Sequence, residues 1–317
     1  MKEVSVLIRK VVRLQREEKL IPPGSSLLVA FSGGVDSVSL VDALLELRDF
    51  LNLKKLSLAH FNHRLRKEAD EEEEFCREFA RSRELDIFVG AEDVGEVARR
   101  EGRNLEEVAR ELRYAFLRKV KNERGYDLIA TAHHLNDLVE TALIWLSRGA
   151  GLEGFLAFEP REGDVVRPLY GVKREEILSY AEARGLRWVE DTSNTDPRFF
   201  RNRVRMEVIP VLKSINPNLE ETFLRTRRIL KDENELLEEL SMNALKGAKE
   251  GNCLRVKELQ GSHVAVQRRV LRLFTGVRNF SKIEQLRNLL KRGGEVDLGE
   301  GLRAVRKGKL LCLKKKG

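Results

Sequence analysis

An apolar run, Leu27-Leu28-Val29-Ala30-Phe31, breaks into Ser32-Gly33-Gly34-Val35-Asp36-Ser37 and then resumes with apolar residues at three- and four-residue spacing. A strand that feeds a glycine turn and then an amphipathic helix leaves few ways to fold. The helix must pack back over the strand, and a right-handed crossover then lays the next strand parallel to the first. The turn is also anion-binding architecture. Two glycines let the backbone approach a phosphate closely, the N–H groups converge on one concavity, and the helix N-terminus adds partial positive charge. Ser32 and Ser37 add hydroxyl donors, while the lysine of the GxxxxGK(S/T) loop is absent and Asp36 stands where a phosphate-bound metal can be held. The plain alternative is an N-capped helix after a turn.

The same alternation continues along the chain. Short β-rich runs at 27–31, 56–60, 87–89 and 128–131 are separated by helical patterns at 35–48, 68–84, 104–121 and 135–147. This predicts an α/β fold with a parallel, Rossmann-like sheet and ligands at the carboxyl ends of its strands. Pro210, Asn216, Pro217 and Asn218 interrupt the pattern, which predicts a first domain over 1–216 and a second domain over 217–317. The second begins with a charged linker helix, 218–248, and ends in a small α+β module, 253–317, with hairpin turns at Gly299-Glu300-Gly301 and Gly308.

A length of 317 residues with 42% hydrophobic side chains suffices for two cores. The net charge of +8 is unevenly placed: 211–317 holds 24 basic and 13 acidic side chains, whereas 1–210 holds 35 and 38. Gln267-Arg268-Arg269, Arg272, Lys282, Arg287, Lys291-Arg292 and the terminal Lys314-Lys315-Lys316 supply cations for a polyanionic partner, the alternative being scattered solubility charge. Three cysteines, Cys76, Cys253 and Cys312, form no CxxC pair, which argues against a zinc ribbon or a cysteine-held cluster and points to a reducing cytosol. No apolar run reaches the roughly 18 residues of a membrane span, and the N-terminus lacks a secretion signal, so a cytoplasmic protein is expected. Abundant Arg, Lys and Glu suit a heat-adapted host.

Four more segments carry chemistry. Asp137 and Glu140, three apart on a helix and downstream of His133, place carboxylates and an imidazole at the ligand edge of the sheet. An ammonium substrate would be paired there, and His133 or a carboxylate would take its proton before attack. Solvated acids at a helix cap are the alternative. Adjacent His133 and His134 diverge in direction, which disfavours a zinc site. Arg110 and Arg113, also three apart on a helix, reach one phosphate cluster or are bridged to Glu106 and Glu107. Arg198, Arg201, Arg203 and Arg205 interleave with Phe199 and Phe200, a pattern that grips backbone phosphates and stacks an unpaired base, unless the two rings are core. Gly149-Ala150-Gly151-Leu152-Glu153-Gly154 satisfies GxGxxG but follows a helix, so it is expected to end that helix rather than bind a dinucleotide.

Taken together, the Ser32–Ser37 string, His60-Phe61-Asn62-His63-Arg64-Leu65-Arg66, the helix with Arg110 and Arg113, Thr131-Ala132-His133-His134-Leu135-Asn136-Asp137 and Glu190-Asp191 to Arg205 occur in an order that resembles the tRNA(Ile)-lysidine synthetases. These belong to the N-type ATP pyrophosphatase, or PP-loop, superfamily, and the resemblance covers roughly 25–217. It implies that Ser32, Gly33, Gly34, Val35, Asp36 and Ser37 hold the pyrophosphate of ATP and that Asp36 is tied to Mg²⁺. His60 would lie near adenine and ribose, with Arg110 and Arg113 on the phosphates. The implied reaction adenylates the carbonyl oxygen at carbon 2 of the wobble cytidine in the CAU anticodon of tRNA(Ile), after which the ε-amine of L-lysine displaces AMP. The expected catalytic set is Asp36, Arg113, His133, Asp137 and Glu140. Members often carry a further C-terminal domain, which a chain of this length is expected to lack; a homodimer is left open. The rival readings are a sulfur-inserting tRNA enzyme, disfavoured by the missing cysteine pair, a glutamine-fed amidating synthetase, disfavoured by the starting Met-Lys-Glu, and a non-catalytic nucleotide-gated RNA-binding protein.

Overall fold

In the computed structural model, residues 5–65, 69–190, 200–299 and 301–315 are described, and the chain divides into two compact units, Met1–Leu224 and Arg225–Gly317. The apolar run at 27–31 becomes strand β1 (Ser26–Ala30), the centre of a six-stranded sheet with β2 (Lys55–Asn62), β3 (Ile87–Ala91), β4 (Leu128–Ala130), β5 (Arg161–Glu162) and β6 (Val165–Val166). Strand order is β3-β2-β1-β4-β6-β5, parallel throughout except for the β5–β6 pair. The order reverses between β1 and β4. Crossovers leave these two strands on opposite sides, so a crevice opens above their carboxyl ends, where ligands bind in open α/β sheets.

Helices cover both faces, which is why β1 is apolar at nearly every position rather than alternating. They are α1 (Val6–Glu18), α2 (Val35–Glu46), α3 (Ala69–Ser82), α4 (Val94–Glu101), α5 (Leu105–Arg124), α6 (Leu135–Ser147), α7 (Leu152–Phe155), α8 (Arg174–Ala183), α9 (Phe200–Arg203), α10 (Ile209–Ile215) and α11 (Leu219–Ala248). Leu27 and Val29 point into a core shared with Val38 and Leu44 of α2, Phe79 of α3 and Ile177 of α8. Leu28 points the other way, onto Leu117 and Val120 of α5. A buried carboxylate ties two of these helices: Asp42 accepts from Tyr180 Oη at 2.8 Å, Arg184 Nε at 2.9 Å and Arg83 Nη1 at 3.1 Å, which fixes α2 against α8.

The parallel α/β sheet expected from the sequence is present, with the helix 135–147 at the predicted bounds. The division between units falls at Leu224, inside α11. Glu220 is buried and accepts from Asn136 at 2.9 Å and Lys213 at 3.0 Å, and Phe223 meets Phe155 at 5.3 Å, so the first turns of this helix belong to the first unit.

The second unit pairs α12 (Val256–Gln260), α13 (Val264–Thr275) and α14 (Phe280–Leu289) with an antiparallel sheet ordered β7 (Lys249–Glu250), β8 (Cys253–Arg255), β11 (Leu310–Lys315), β10 (Leu302–Lys307) and β9 (Gly294–Gly299). Leu254, Val270, Leu271, Leu286, Ala304 and Leu311 form its core. Lys307 pairs with Leu310, which leaves Gly308-Lys309 as a two-residue turn with Gly308 at φ +58°. Two of the three cysteines, distant in sequence, meet in this sheet. Register brings Cys253 of β8 opposite Cys312 of β11, and a disulfide joins them across 59 residues. Strand pairing, invisible in local spacing, made the pair. Cys76 is the free thiol among the described residues; it is buried, and burial pushes it up to about 12. Among the described residues no helix is long and apolar enough to cross a membrane.

Candidate active site

The crevice between β1 and β4 is a cavity of about 630 Å³. Its floor is the turn after β1. Gly33 adopts φ +79°, and a side chain there would meet Phe75 at 3.1 Å and Cys76 at 3.2 Å, so only glycine lets α3 close on the turn. Ser32 and Ser37 brace the loop from within: Ser37 Oγ donates to Gly34 O at 3.0 Å, accepts from Ser32 N at 3.3 Å, and lies 3.2 Å from Ser32 Oγ. Gly34 caps α2 with no side-chain hydrogen bond, and Gly34, Val35, Asp36 and Ser37 all line the cavity, an arrangement that offers the start of the helix to an anion. His60, buried at the end of β2, lies 3.0 Å through Nδ1 from the Phe31 carbonyl, steadying the strand just before the turn. Burial lowers its pKa, and its Nε2 has no hydrogen-bond partner.

The second edge of the cavity is the turn after β4. His133 Nδ1 lies 2.8 Å from Thr131 Oγ1, and burial, with Arg113, Arg167 and Arg110 near, drops its pKa to about 3 against the pull of Asp137. The imidazole is therefore neutral at pH 7. His134 caps α6, and its backbone N–H donates to Asp137 Oδ2 at 3.0 Å. Its ring Nε2 lies 3.5 Å from Asp137 and 3.7 Å from Asp36, bridging the two edges. Burial opposes ionisation of Asp137, but His134, Arg201, His133 and the backbone N–H outweigh it and hold the carboxyl well below its usual range. Burial raises Asp36, with His134 and Arg174 pulling the other way.

Asp137 faces the cavity, whereas Glu140, only 1% exposed, lies behind its wall. Both Glu140 oxygens are taken: Arg201 Nε donates at 3.0 Å, Arg205 Nε at 2.7 Å and Arg205 Nη2 at 3.0 Å. A π-helical turn, Val204–Val208, carries Arg205 into this position, a distortion common at functional sites. The acids and arginines that the sequence assigned to different ligands thus hold one another in this structure. Arg203 points elsewhere and pairs with Glu207 at 3.3 Å. Arg198, Phe199 and Arg66 lie outside the described residues.

The third wall is α5. Arg110 and Arg113 line the cavity, and no ion pair joins either to a carboxylate among the described residues. Glu107 and Glu111 serve Arg103 instead, at 3.8 Å and 2.5 Å. Burial, with Arg110 and Arg201 nearby, lowers Arg113, so an incoming anion is favoured there. Among the described residues no set of three or more His, Cys, Asp or Glu forms a metal site. Asp36 Oδ1, buried without a hydrogen-bond partner, fits a Mg²⁺ that takes its other ligands from phosphate and water.

Sequence reasoning missed Arg174, Tyr114 and Trp188, which line the cavity, and His134 as a bridge. Arg174 stands at the start of α8, 3.6 Å from Asp36, held there by its N–H to Asn136 Oδ1 at 2.9 Å. A cation in a helix's first turn opposes the macrodipole, and that was the available signal. The GxGxxG segment does end α6: Gly149 has φ +73° and Gly151 caps α7.

The fold and this cavity define a nucleotide-binding PP-loop domain, and the family model described as "PP-loop domain" matches residues 5–212, followed by one described as "TilS-like substrate binding domain" over 248–313. A tRNA(Ile)-lysidine synthase of Persephonella marina is 37% identical over 302 residues, 94% of this chain and 65% of that protein. Another, of Geobacter sulfurreducens, is 41% identical over 77% of this chain and 52% of its own length, and one of Petrotoga mobilis is 33% identical over 70% and 71%. The chain spans about half to two thirds of the length of the first of these relatives. Among solved structures, a U34-tRNA thiolase from Methanococcus maripaludis shares the fold with TM-score 0.58 and 16% identity, over 71% of this chain and 78% of that one. This chain belongs to the PP-loop family of tRNA(Ile)-lysidine synthases.

Proposed function

We propose that the protein uses ATP to ligate L-lysine to carbon 2 of the wobble cytidine of a tRNA(Ile) with a CAU anticodon, in the cytoplasm, releasing AMP and pyrophosphate. The observation that carries this reading is one cavity lined both by an open anion loop with two unneutralised arginines and by a carboxylate beside a neutral imidazole. In the first step the cytidine carbonyl oxygen attacks the α-phosphorus, and the bond to the β-phosphate breaks with its electron pair leaving on pyrophosphate. The amides after Gly33, with Arg110 and Arg113, hold the leaving group and offset its growing charge. Mg²⁺ on Asp36 would supply further neutralisation of the phosphates.

In the second step the lysine ε-amine forms a bond to carbon 2 and AMP departs with the oxygen. Asp137, ionised and facing the cavity, pairs the substrate ammonium; the proton passes to solvent before attack, and neutral His133 takes a hydrogen bond from the amine that remains. Glu140 acts through the two arginines it anchors. The basic second unit takes the tRNA by its phosphates. No cysteine lines the cavity among the described residues, which favours an amine over a sulfur nucleophile.

The test is incubation with Mg-ATP, radiolabelled lysine and an unmodified CAU-bearing tRNA(Ile) transcript, with Asp36→Ala alongside. Label in RNA that requires ATP and disappears in the variant supports the ligase. AMP release without label would reject lysine as the nucleophile.

A further inference from the structure

Tyr114 lies on α5 among the arginines of the cavity wall and lines the cavity itself. Its ring carries three guanidinium groups: Arg110 Cζ is 4.9 Å from the centroid, and those of Arg113 and Arg118 are each 5.7 Å away. Residues four before and four after Tyr114 share its helix face, which brings Arg110 and Arg118 onto it, and Arg113 adjoins in sequence. The ring is seated against the core formed by Leu28, Ala59 and Leu117. Its hydroxyl is buried without a hydrogen-bond partner, so the ring rather than the oxygen does the holding.

The choice of an aromatic partner has a consequence. A carboxylate in this place would neutralise the arginines and compete for their N–H donors. A phenol ring attracts a guanidinium through its quadrupole while leaving the charge and the edge donors available. Arg118 has Asp164 at 3.9 Å as a second partner, and Glu107 and Glu111 of α5 are engaged by Arg103. We propose that Tyr114 is a positioning residue: its ring orders Arg110 and Arg113, as a pair kept fully charged, toward the polyphosphate of the nucleotide. The inference rests on the ATP reading above.

Equilibrium binding of Mg-ATP and of pyrophosphate to the full chain tests it. Tyr114→Leu is expected to weaken both by roughly tenfold, the size of a desolvated cation–π contact, while Tyr114→Phe restores binding to within about twofold. Added to Arg110→Ala/Arg113→Ala, the Tyr114→Leu change has no further effect, because the groups it orders are gone. Should Tyr114→Leu fail to fold in a thermal melt, Tyr114→Met keeps the volume without the ring and takes its place in the same cycle. An equal loss in the Phe and Leu variants, or a loss that persists in the arginine-free background, would overturn the proposal. Unchanged binding in Tyr114→Leu beside a wild type that binds both ligands also overturns it and leaves the ATP reading standing. A wild type that binds neither ligand sinks the ATP reading and the inference with it.

Discussion

His133 shows how burial sets chemistry at a single position. Its pKa is about 3 in the fold against an ordinary 6.5, so between these values the unfolded chain binds a proton that the folded chain refuses. Stability therefore falls as pH drops from about 6.5 toward 3, by up to roughly 1.4 kcal/mol per pH unit for this one group. Asp137, held below its ordinary 3.8, adds loss of the same sign only below that pH. Urea titrations of wild type and His133→Asn between pH 7 and pH 4.5 are expected to give a shallower pH dependence in the variant by nearly one proton, with His60 keeping part of the slope; equal slopes would mean the imidazole is protonated inside the fold. Arg113→Ala tests the same site as chemistry. Loss of a donor to a departing anion predicts a fall in kcat for AMP release of about 10²-fold, and a rate within threefold of wild type would remove Arg113 from the reaction.

At the scale of elements, the tie between α6 and the segment from α9 through the π turn rests on Glu140, a buried carboxylate between two arginine side chains 34% and 24% exposed. Removing the shared anion leaves two cations facing one another in a partly dry place. Complete burial would cost about 3–5 kcal/mol; with the guanidinium groups a quarter to a third exposed, about 2 kcal/mol is expected for Glu140→Ala. A thermal melt that moves by less than a degree would show the network to be ornamental. This pair also marks where sequence reading stopped. Residues 135–147 and 219–248 announced their helices through spacing, and the strand–glycine–helix string announced the phosphate loop, because those signals are local. Nothing local links Glu140 to Arg205 or Cys253 to Cys312: the first pairing needs a π turn and the second a strand register. Asp137 and Glu140 looked equivalent on one helix face, yet only depth in the wall separates the one that meets the cavity from the one that anchors arginines.

For the whole molecule, charge and architecture divide the labour in the same place. The first unit holds the cavity, while the second, 225–317, holds 23 basic and 11 acidic side chains, a net +12. Contact with several phosphates makes affinity fall linearly with the logarithm of salt concentration, by about 0.7 to 0.9 in slope for each phosphate neutralised. A chain ended after Leu224 keeps Glu220 on Lys213 and Asn136, and Phe223 on Phe155, so the first unit retains the contacts that close it. A chain ended before α11, the boundary that the prolines suggest, loses them. The expected outcome for the cut after Leu224 is ATP binding within about threefold of the full chain, with tRNA affinity down by at least tenfold and a shallower salt slope. Filter binding across 50 to 200 mM salt, beside calorimetry with ATP, separates the two effects. Equal loss of both ligands would mean that the second unit stabilises the cavity; retained tRNA affinity would place the phosphate contacts on the first unit, with Arg203 and its neighbours the next residues to change.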